Sequence, residues 1–285
     1  MVEYSNPEIP EGINYSKEHP LKEFFILTVG VLGLLFAILL TLGLLADKLA
    51  VYVPFAAEQN MVAKRFVDAR KDTPINNYLN SLAARIARAE DLPKDMSVTV
   101  HYAGGDTVNA FATLGGNIVI FRGLLEKLES ENALAMVMAH EVAHIRYRHP
   151  IRSMGRGVVI GVALSMVSSS LGNGLVDNVL GQAGNITALS YSRDKEEEAD
   201  ATALKALVKL YGNVEGAADL FKVLEKQEKG SITPEFYSSH PLTEHRIQRI
   251  SKFRKNLDTG PGKNKLTPLP KKFSEWLVKK EPKPE

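Results

Sequence analysis

The 285-residue chain has no cysteine at all. That excludes a disulfide framework, a thiolate metal site and a cysteine nucleophile. It does not fix the compartment, because large folded domains need no disulfides on either side of a membrane. Neither sign of charge dominates: 35 basic residues face 33 acidic ones, for a net charge of +2. No stripe of basic and aromatic residues accompanies that balance, so no nucleic-acid partner is expected. Apolar residues are plentiful at 45%, enough to build a core and to exclude wholesale disorder. The length suits one catalytic domain with appendages, and no internal repeat is evident.

Residues 1–23 are polar. Phe24 to Leu45 then runs without a charge, as FFILTVGVLGLLFAILLTLGLL. A helix of that length reaches roughly 33 Å, the thickness of a bilayer's hydrocarbon core. A transmembrane helix over 24–45 is therefore expected, with the lipid bilayer as a partner. A cleavable signal peptide fits less well, since the run is long and no small-x-small site follows it. Lys17 and Lys22 before the run nearly balance Lys48, Lys64 and Arg65 after it, which leaves the orientation open.

An amphipathic helical pattern extends from Glu58 to about Glu90, with Pro74 suited to a helix start. Residues 97–103 alternate as a strand, and 109–121 read as a hairpin turning at Gly115-Gly116. A long helix is expected from Ser130-Glu131 to about Arg148, ended by Pro150. A second apolar stretch, 157–171, is too short and too rich in Ser and Gly to span comfortably. It reads as a packed helix, a lid or a segment at the membrane surface. Helices follow at about 186–210, 214–228 and 241–256. The domain organisation is then a polar segment (1–23), a membrane helix (24–45), a catalytic domain (46–256) and a Lys/Pro-rich tail (257–285) in which Phe273 to Val278 forms a short helix.

The decisive segment is His140-Glu141-Val142-Ala143-His144. Four helical residues turn the chain by about 400°, which stacks the two imidazoles on one face. Two such rings can grip one zinc ion, and Glu141 can reach a water on it. Ala135, Met136, Ala139, Val142 and Ala143 surround these polar residues, so the site is set in an apolar helix where polar groups need a partner. A catalytic zinc has three protein ligands and an open position. A third histidine six residues after His144, as in metzincins, is excluded because Pro150 stands there. His149 lies about 140° away around a continued helix. Glu196 is the better candidate. Asp200, four residues on, shares its face, and Ala203, Leu204 and Leu207 mark that face as inward. One carboxylate could take the metal and the other orient a ligand histidine. Glu197 and Glu198 read as a solvated helix face.

With those residues in place the chain resembles the membrane-associated zinc peptidases of the CAAX prenyl protease, HtpX and periplasmic or mitochondrial quality-control type. The likeness rests on Asn109-Ala110-Phe111 with Gly115-Gly116, on His140 to His144, on Ser192-Arg193 through Glu196 to Ala199-Asp200, and on His240-Pro241 with Arg246-Ile247. It implies an α+β fold: a mainly helical zincin-type domain with a small β-sheet, behind one N-terminal transmembrane helix. It implies one Zn2+ per chain on His140, His144 and Glu196, with Glu141 as base and Asp200 behind the ligands. His240 would face the metal, as an oxyanion donor or a gate. Thr113-Leu114 stands where relatives often carry proline, and one span replaces several, which favours single-anchor relatives and leans toward an extracytoplasmic, periplasmic domain.

The expected activity is endopeptidase cleavage of unfolded or membrane-associated protein substrates. The strand from Asn117 to Phe121 would be an exposed edge taking an extended peptide, with Asn109, Ala110, Gly116 and Asn117 touching it. The competing reading is a membrane-anchored chaperone or binding protein that keeps the fold but hydrolyses little.

Overall fold

The computed structural model describes residues 20–66, 72–155, 157, 191–222, 240, 244–257 and 265–277. The chain divides into two compact units, Met1–Leu42 and Gly43–Glu285.

The first unit contains most of helix α1 (Pro20–Leu49). Its 18-residue apolar window has a mean hydropathy of 2.7, and among the described residues it is the one helix long and apolar enough to cross a membrane. The helix outruns the apolar run of 24–45 at both ends, because helical hydrogen bonding continues into the polar flanks holding Lys22, Glu23, Asp47 and Lys48. Within the run, the Thr41 hydroxyl donates to the Ala37 carbonyl of the preceding turn at 2.8 Å, so this polar group is satisfied inside its own helix.

In the second unit, helices α2 (Phe55–Val62) and α3 (Pro74–Ala89) precede a sheet of β1 (Thr99–Ala103), β2 (Ala110–Thr113) and β3 (Asn117–Phe121). Helices α4 (Arg122–Leu125), α5 (Glu131–Arg146), α6 (Arg193–Tyr211), α7 (Glu244–Asn256) and α8 (Phe273–Trp276) follow. The fold is thus mostly helical with one small sheet, as expected. Among the described residues, the helical pattern read from Glu58 to Glu90 forms α2 and, from the expected start at Pro74, α3. Thr73 caps the second by accepting from Asn76 N–H, with Pro74 in its first turn.

The strand order is β1-β3-β2, with β3 parallel to β1 and antiparallel to β2. This corrects the reading of Asn117 to Phe121 as an exposed edge: β3 is the middle strand. Its Ile118 and Ile120 are fully buried, and an aliphatic strand of this kind suits a central position. The strand beside α5 is β2. Between β2 and β3 the chain turns at Gly115 and Gly116, at φ 66° and 76°. A Cβ on Gly116 would fall 1.8 Å from the Ser97 carbonyl oxygen, so only glycine fits. The turn is pinned by buried Glu58, which accepts from Gly115 N–H at 3.0 Å and from Arg148 Nε at 2.7 Å.

Helix α5 is buried from Glu131 through Ile145. Ser130 caps it by accepting from Ala133 N–H, and the Glu131 N–H is taken by the Thr267 carbonyl at 2.9 Å. The segment expected as a tail thus carries a docked piece: Thr267 and Pro268 meet the start of α5, while Phe273 and Leu277 enter the main core. At its other end α5 stops at Arg146, and Arg148 adopts a left-handed backbone at φ 59°. The chain is helical again over 149–155. Pro150 does not end a helix here. It stands in the first turn of the next one, where its missing N–H costs nothing. The expected apolar stretch at 157–171 lies outside the described residues, apart from residue 157.

One buried group opposes folding. Glu90, at the end of α3, is 2% exposed, and neither carboxyl oxygen has a hydrogen-bond partner. Burial pushes this carboxyl well above the usual carboxylate range, outweighing Arg146 nearby. A folded-state value raised above the unfolded one means that the folded state binds more protons once pH exceeds the ordinary glutamate range, so stability falls as pH rises. Glu90→Gln removes that ionisation. It should raise Tm at pH 8 by roughly 2–4 °C or more, with a gain that shrinks toward zero near pH 4. Thermal denaturation at the two pH values checks this, and an equal shift at both would refute it.

Candidate metal centre

Helix α5 supplies His140, Glu141 and His144, and α6 supplies Glu196 and Asp200. His240 stands shortly before α7, which supplies Arg246. All seven side chains are buried. The one-turn spacing on α5 brings His140 Nε2 and His144 Nε2 to 3.0 Å. Across the helix pair, Glu196 Oε2 lies 3.3 Å from His140 Nε2 and Glu196 Oε1 lies 3.4 Å from His144 Nε2. His240 Nδ1 is 3.2 Å from His140 Nε2 and 3.1 Å from Glu196 Oε1, and its Nε2 is 3.3 Å from Glu141 Oε1. One donor atom from each of His140, His144, Glu196 and His240 falls in a group no wider than 4.8 Å.

The donor set fits a metal ion. Two imidazole nitrogens facing each other at 3.0 Å hold their lone pairs apart only with a proton or a cation between them. A tetrahedral ion with bonds of about 2.0–2.1 Å keeps its ligand atoms about 3.3–3.4 Å apart, close to the spacings found here.

Behind the donors, Asp200 Oδ1 lies 2.9 Å from His140 Nδ1. Arg246 grips Asp200 with two parallel bonds, Nε to Oδ2 at 2.7 Å and NH2 to Oδ1 at 2.8 Å, and reaches Glu196 Oε2 with NH1 at 2.6 Å. These charges set the ionisation of the site. Burial would lower His140, but Glu196 and Asp200 lift it to about 10. Burial also opposes ionised Glu196, yet His240 and His140 hold it well below the usual range. Against the same penalty, His140 and Arg246 keep Asp200 down at about 2. Glu141 goes the other way: burial raises it, more than His240 and His140 lower it. The pocket therefore holds two ionised carboxylates, which attract a cation, beside a third carboxylate suited to taking a proton. Glu141 Oε2 also accepts from Ala112 N–H of β2 at 2.7 Å, which ties the edge strand to this carboxylate.

A match to the model of peptidase family M48 extends over residues 75–254, most of the second unit and every residue of this cluster. The chain belongs to peptidase family M48. Its buried His140, His144, Glu196 and His240 fit the HExxH-plus-Glu zincin arrangement. The chain is 30% identical over 190 residues to the beta-barrel assembly-enhancing protease of Escherichia coli (strain K12), covering 62% of this chain and 38% of that one. It is 27% identical to the mitochondrial metalloendopeptidase OMA1 of Schizosaccharomyces pombe, covering 63% and 53%, and 31% identical to metalloprotease YcaL of Escherichia coli (strain K12), covering 50% and 57%. The match thus spans well under two thirds of these relatives.

The sequence-derived residues separate into two groups in space. His140, Glu141, His144, Glu196, Asp200 and His240 are brought together. Asn109, Ala110, Gly116 and Asn117 are buried in or beside the sheet. Asn117 is used internally, its Nδ2 donating to the Leu114 carbonyl and its Oδ1 meeting His101 Nε2, each at 2.8 Å. Asn109 precedes β2 and Ala110 begins it, and the Asn109 carbonyl accepts from Phe121 N–H.

Three residues contact the cluster in ways its motifs do not signal. Tyr191 stacks on His144 with ring centroids 4.0 Å apart, in a position that no motif signals. The positive charge of Arg246 near the site is expected, but its grip on Asp200 and Glu196 has no signal in the sequence. His149 was read as facing elsewhere, yet its Nδ1 lies 2.7 Å from His144 Nδ1. The left-handed break at Arg148 swings it back, and an arginine gives no hint of such a break. Glu198 is exposed, as expected of a solvated helix face, and its Oε2 also lies 3.2 Å from His149 Nε2. Burial, then the charges of Lys195 and Arg152, press His149 down to about 3.

Arg246→Leu would leave Asp200 and Glu196 buried without their guanidinium partner, at a cost of about 3–5 kcal/mol. Arg246→Lys should recover only part of this, since an ammonium cannot reproduce the two-pronged grip. Chemical denaturation measures both, and an unchanged midpoint for Arg246→Leu would refute the assignment.

Proposed function

We propose that the chain is a zinc-dependent endopeptidase, anchored to the bilayer by one span over 24–45, that hydrolyses peptide bonds of unfolded or membrane-associated proteins. The observation that carries this reading is the convergence of His140 Nε2, His144 Nε2 and the Glu196 carboxylate beside Glu141. Imidazole and carboxylate donors without thiolate suit zinc, at one ion per chain. The named relatives, a protease and two metalloproteases, support peptide-bond hydrolysis as the reaction class. Residues 46–256, with the docked piece at 265–277, form the proposed peptidase domain.

When bound, the ion supplies Lewis acidity to the scissile carbonyl and to the attacking water. His140, His144 and Glu196 would hold it, with Asp200 fixing the His140 ring from behind. Glu141 takes the water's proton and later delivers it to the leaving nitrogen, a role suited to a carboxyl whose affinity for protons is raised by burial. An extended substrate would pair with β2, the strand tied to Glu141, through the outward backbone of Ala110 and the Ala112 carbonyl, the Ala112 N–H being taken by Glu141.

A specific observation favours one role for His240. Its Nδ1 lies among the ligand donors, 3.2 Å from His140 Nε2 and 3.1 Å from Glu196 Oε1. That is the place of a fourth ligand, so His240 reads as a gate that substrate displaces. His240→Ala should then leave turnover equal or higher and tighten small zinc-binding inhibitors. A fall of about 10²–10³ with zinc retained would instead assign it to the oxyanion.

The test of the whole reading is cleavage of an unfolded protein such as casein, with and without a chelator, alongside zinc content. His140→Ala, His144→Ala and Glu196→Ala should each lose the metal, and Glu197→Ala should not. Glu141→Gln should keep zinc and lose activity beyond the 10²–10⁴-fold or so typical of a lost general base. A Glu141→Gln variant cutting at about a tenth of the normal rate would overturn the mechanism. Zinc binding and substrate capture without any chelator-sensitive cleavage would favour the chaperone or binding-protein reading.

A further inference from the structure

The two imidazoles assigned to the metal are oriented differently. His140 meets a carboxylate directly, with Nδ1 2.9 Å from Asp200 Oδ1. His144 does not. Its Nδ1 lies 2.7 Å from Nδ1 of His149, a second imidazole with no exposed surface. His149 Nε2 in turn lies 3.2 Å from Glu198 Oε2, and the Glu198 side chain is 44% exposed. Three groups therefore run in series from the half-exposed first turns of α6 to the buried cluster. Glu197 takes no part, being paired with Arg249 on α7.

The direction of this series follows from counting hydrogens. A neutral imidazole has one N–H and one lone pair. His144 Nε2 faces His140 Nε2 and Glu196, so as a ligand it must present its lone pair there. Its single hydrogen is then on Nδ1, donated to His149 Nδ1. That atom must carry the lone pair of its own ring, which places the His149 hydrogen on Nε2, donated to the Glu198 carboxylate. Each link fixes the next. The reverse assignment puts a hydrogen on His144 Nε2 and leaves no lone pair for the metal.

We propose that His149 and Glu198 are positioning residues for His144, a carboxylate–imidazole–imidazole relay that holds the ligand in its metal-binding tautomer from the surface of α6. The proposal rests on His144 being a metal ligand. In the Asp200–His140 pair the orienting carboxylate is shut inside the protein. In this second pair a whole imidazole is inserted, and the orienting carboxylate sits where solvent reaches it. A change at Glu198 is therefore felt at the metal although Glu198 touches no ligand.

The test uses the full-length chain in detergent and measures Zn2+ affinity by competition with a chromogenic chelator. His149→Phe keeps a ring but offers no acceptor, and should weaken affinity by about 10–100-fold. His149→Asn, whose amide oxygen can accept near the same point, should recover most of that loss. Glu198→Ala should weaken affinity by roughly three- to tenfold, and Glu197→Ala should leave it within about twofold. The deciding readout is the double variant: once His149 is Phe, Glu198→Ala should make no further difference. A merely structural role would lower the stability of either variant without making the Glu198 effect depend on His149. Unchanged affinity in Glu198→Ala, or an equal loss with and without His149, overturns the relay. Should His149→Phe fail to fold, Glu198→Ala against Glu197→Ala decides alone. His144→Ala in the same assay keeps the two readings apart. Intact binding there would sink the ligand assignment, whereas lost binding there with normal binding in Glu198→Ala would sink only the relay.

Discussion

The structure turns on the triple grip of Arg246 on Asp200 and Glu196. Helix α5 has no exposed side over Glu131 to Ile145, yet carries two imidazoles and a carboxylate in its last two turns. Groups of that kind are tolerated in a dry interior only when each finds a partner. The partners arrive on α6, which packs along α5, and they bring two carboxylates that themselves need a cation. Arg246 supplies one fixed positive charge from behind, in a geometry that an ammonium could not reproduce. The cluster of His140, His144 and Glu196 is where the proposed metal would supply the second. Removing the guanidinium would leave the acids of α6 to compete for whatever charge the imidazoles could provide.

From this follows the role of the remaining polar contacts. Each clustered imidazole of α5 has a group behind it, Asp200 for His140 and His149 for His144, which orients the ring. Tyr191 stacked on His144 closes a further side. The carboxylate left least committed is Glu141, which the burial of its surroundings pushes toward the protonated form and which one backbone N–H from β2 holds in place. The four clustered donors are thus closely constrained while Glu141 keeps an affinity for protons, a division that would suit the proposed proton transfer beside a bound ion.

Much of this was legible in the residues, for identifiable reasons. The one-turn stacking of His140 and His144, the inward pairing of Glu196 with Asp200, the cap at Ser130 and the glycine turn at 115–116 all depend on local periodicity or on a backbone angle only glycine adopts easily. What was not legible depends on contacts between distant segments or on backbone choices that residue types do not announce. Nothing in Asn117-Ile118-Val119-Ile120-Phe121 says that β1 pairs with it from the far side. The role of His149 was lost because a continued helix was assumed through Arg148. The short helix at Phe273 is announced by its apolar residues, but that Thr267 meets the start of α5 is not, because it lies in a stretch rich in Lys and Pro.

Arg148 links these outcomes to the segment that follows the apolar helix. Its left-handed backbone ends α5 two residues past Arg146 and redirects His149 toward His144. Arginine pays an energetic penalty of about 1–2 kcal/mol in that conformation, and something must hold it there. The side chain is held twice: Nε donates to buried Glu58 on α2, and NH2 donates to the Val53 carbonyl at 2.6 Å. Glu58 also fixes Gly115 at the turn that leads out of β2. One buried ion pair between α2 and the end of α5 therefore governs both the redirected histidine and the turn of the strand whose Ala112 meets Glu141. Asp47, near the end of α1, adds ion pairs to Arg152 at 2.6 Å and to Lys195 at 3.4 Å, beside Glu196. The residues that follow the apolar run are thus part of the packing around the cluster of His140, His144 and Glu196 and do more than connect it to the apolar helix.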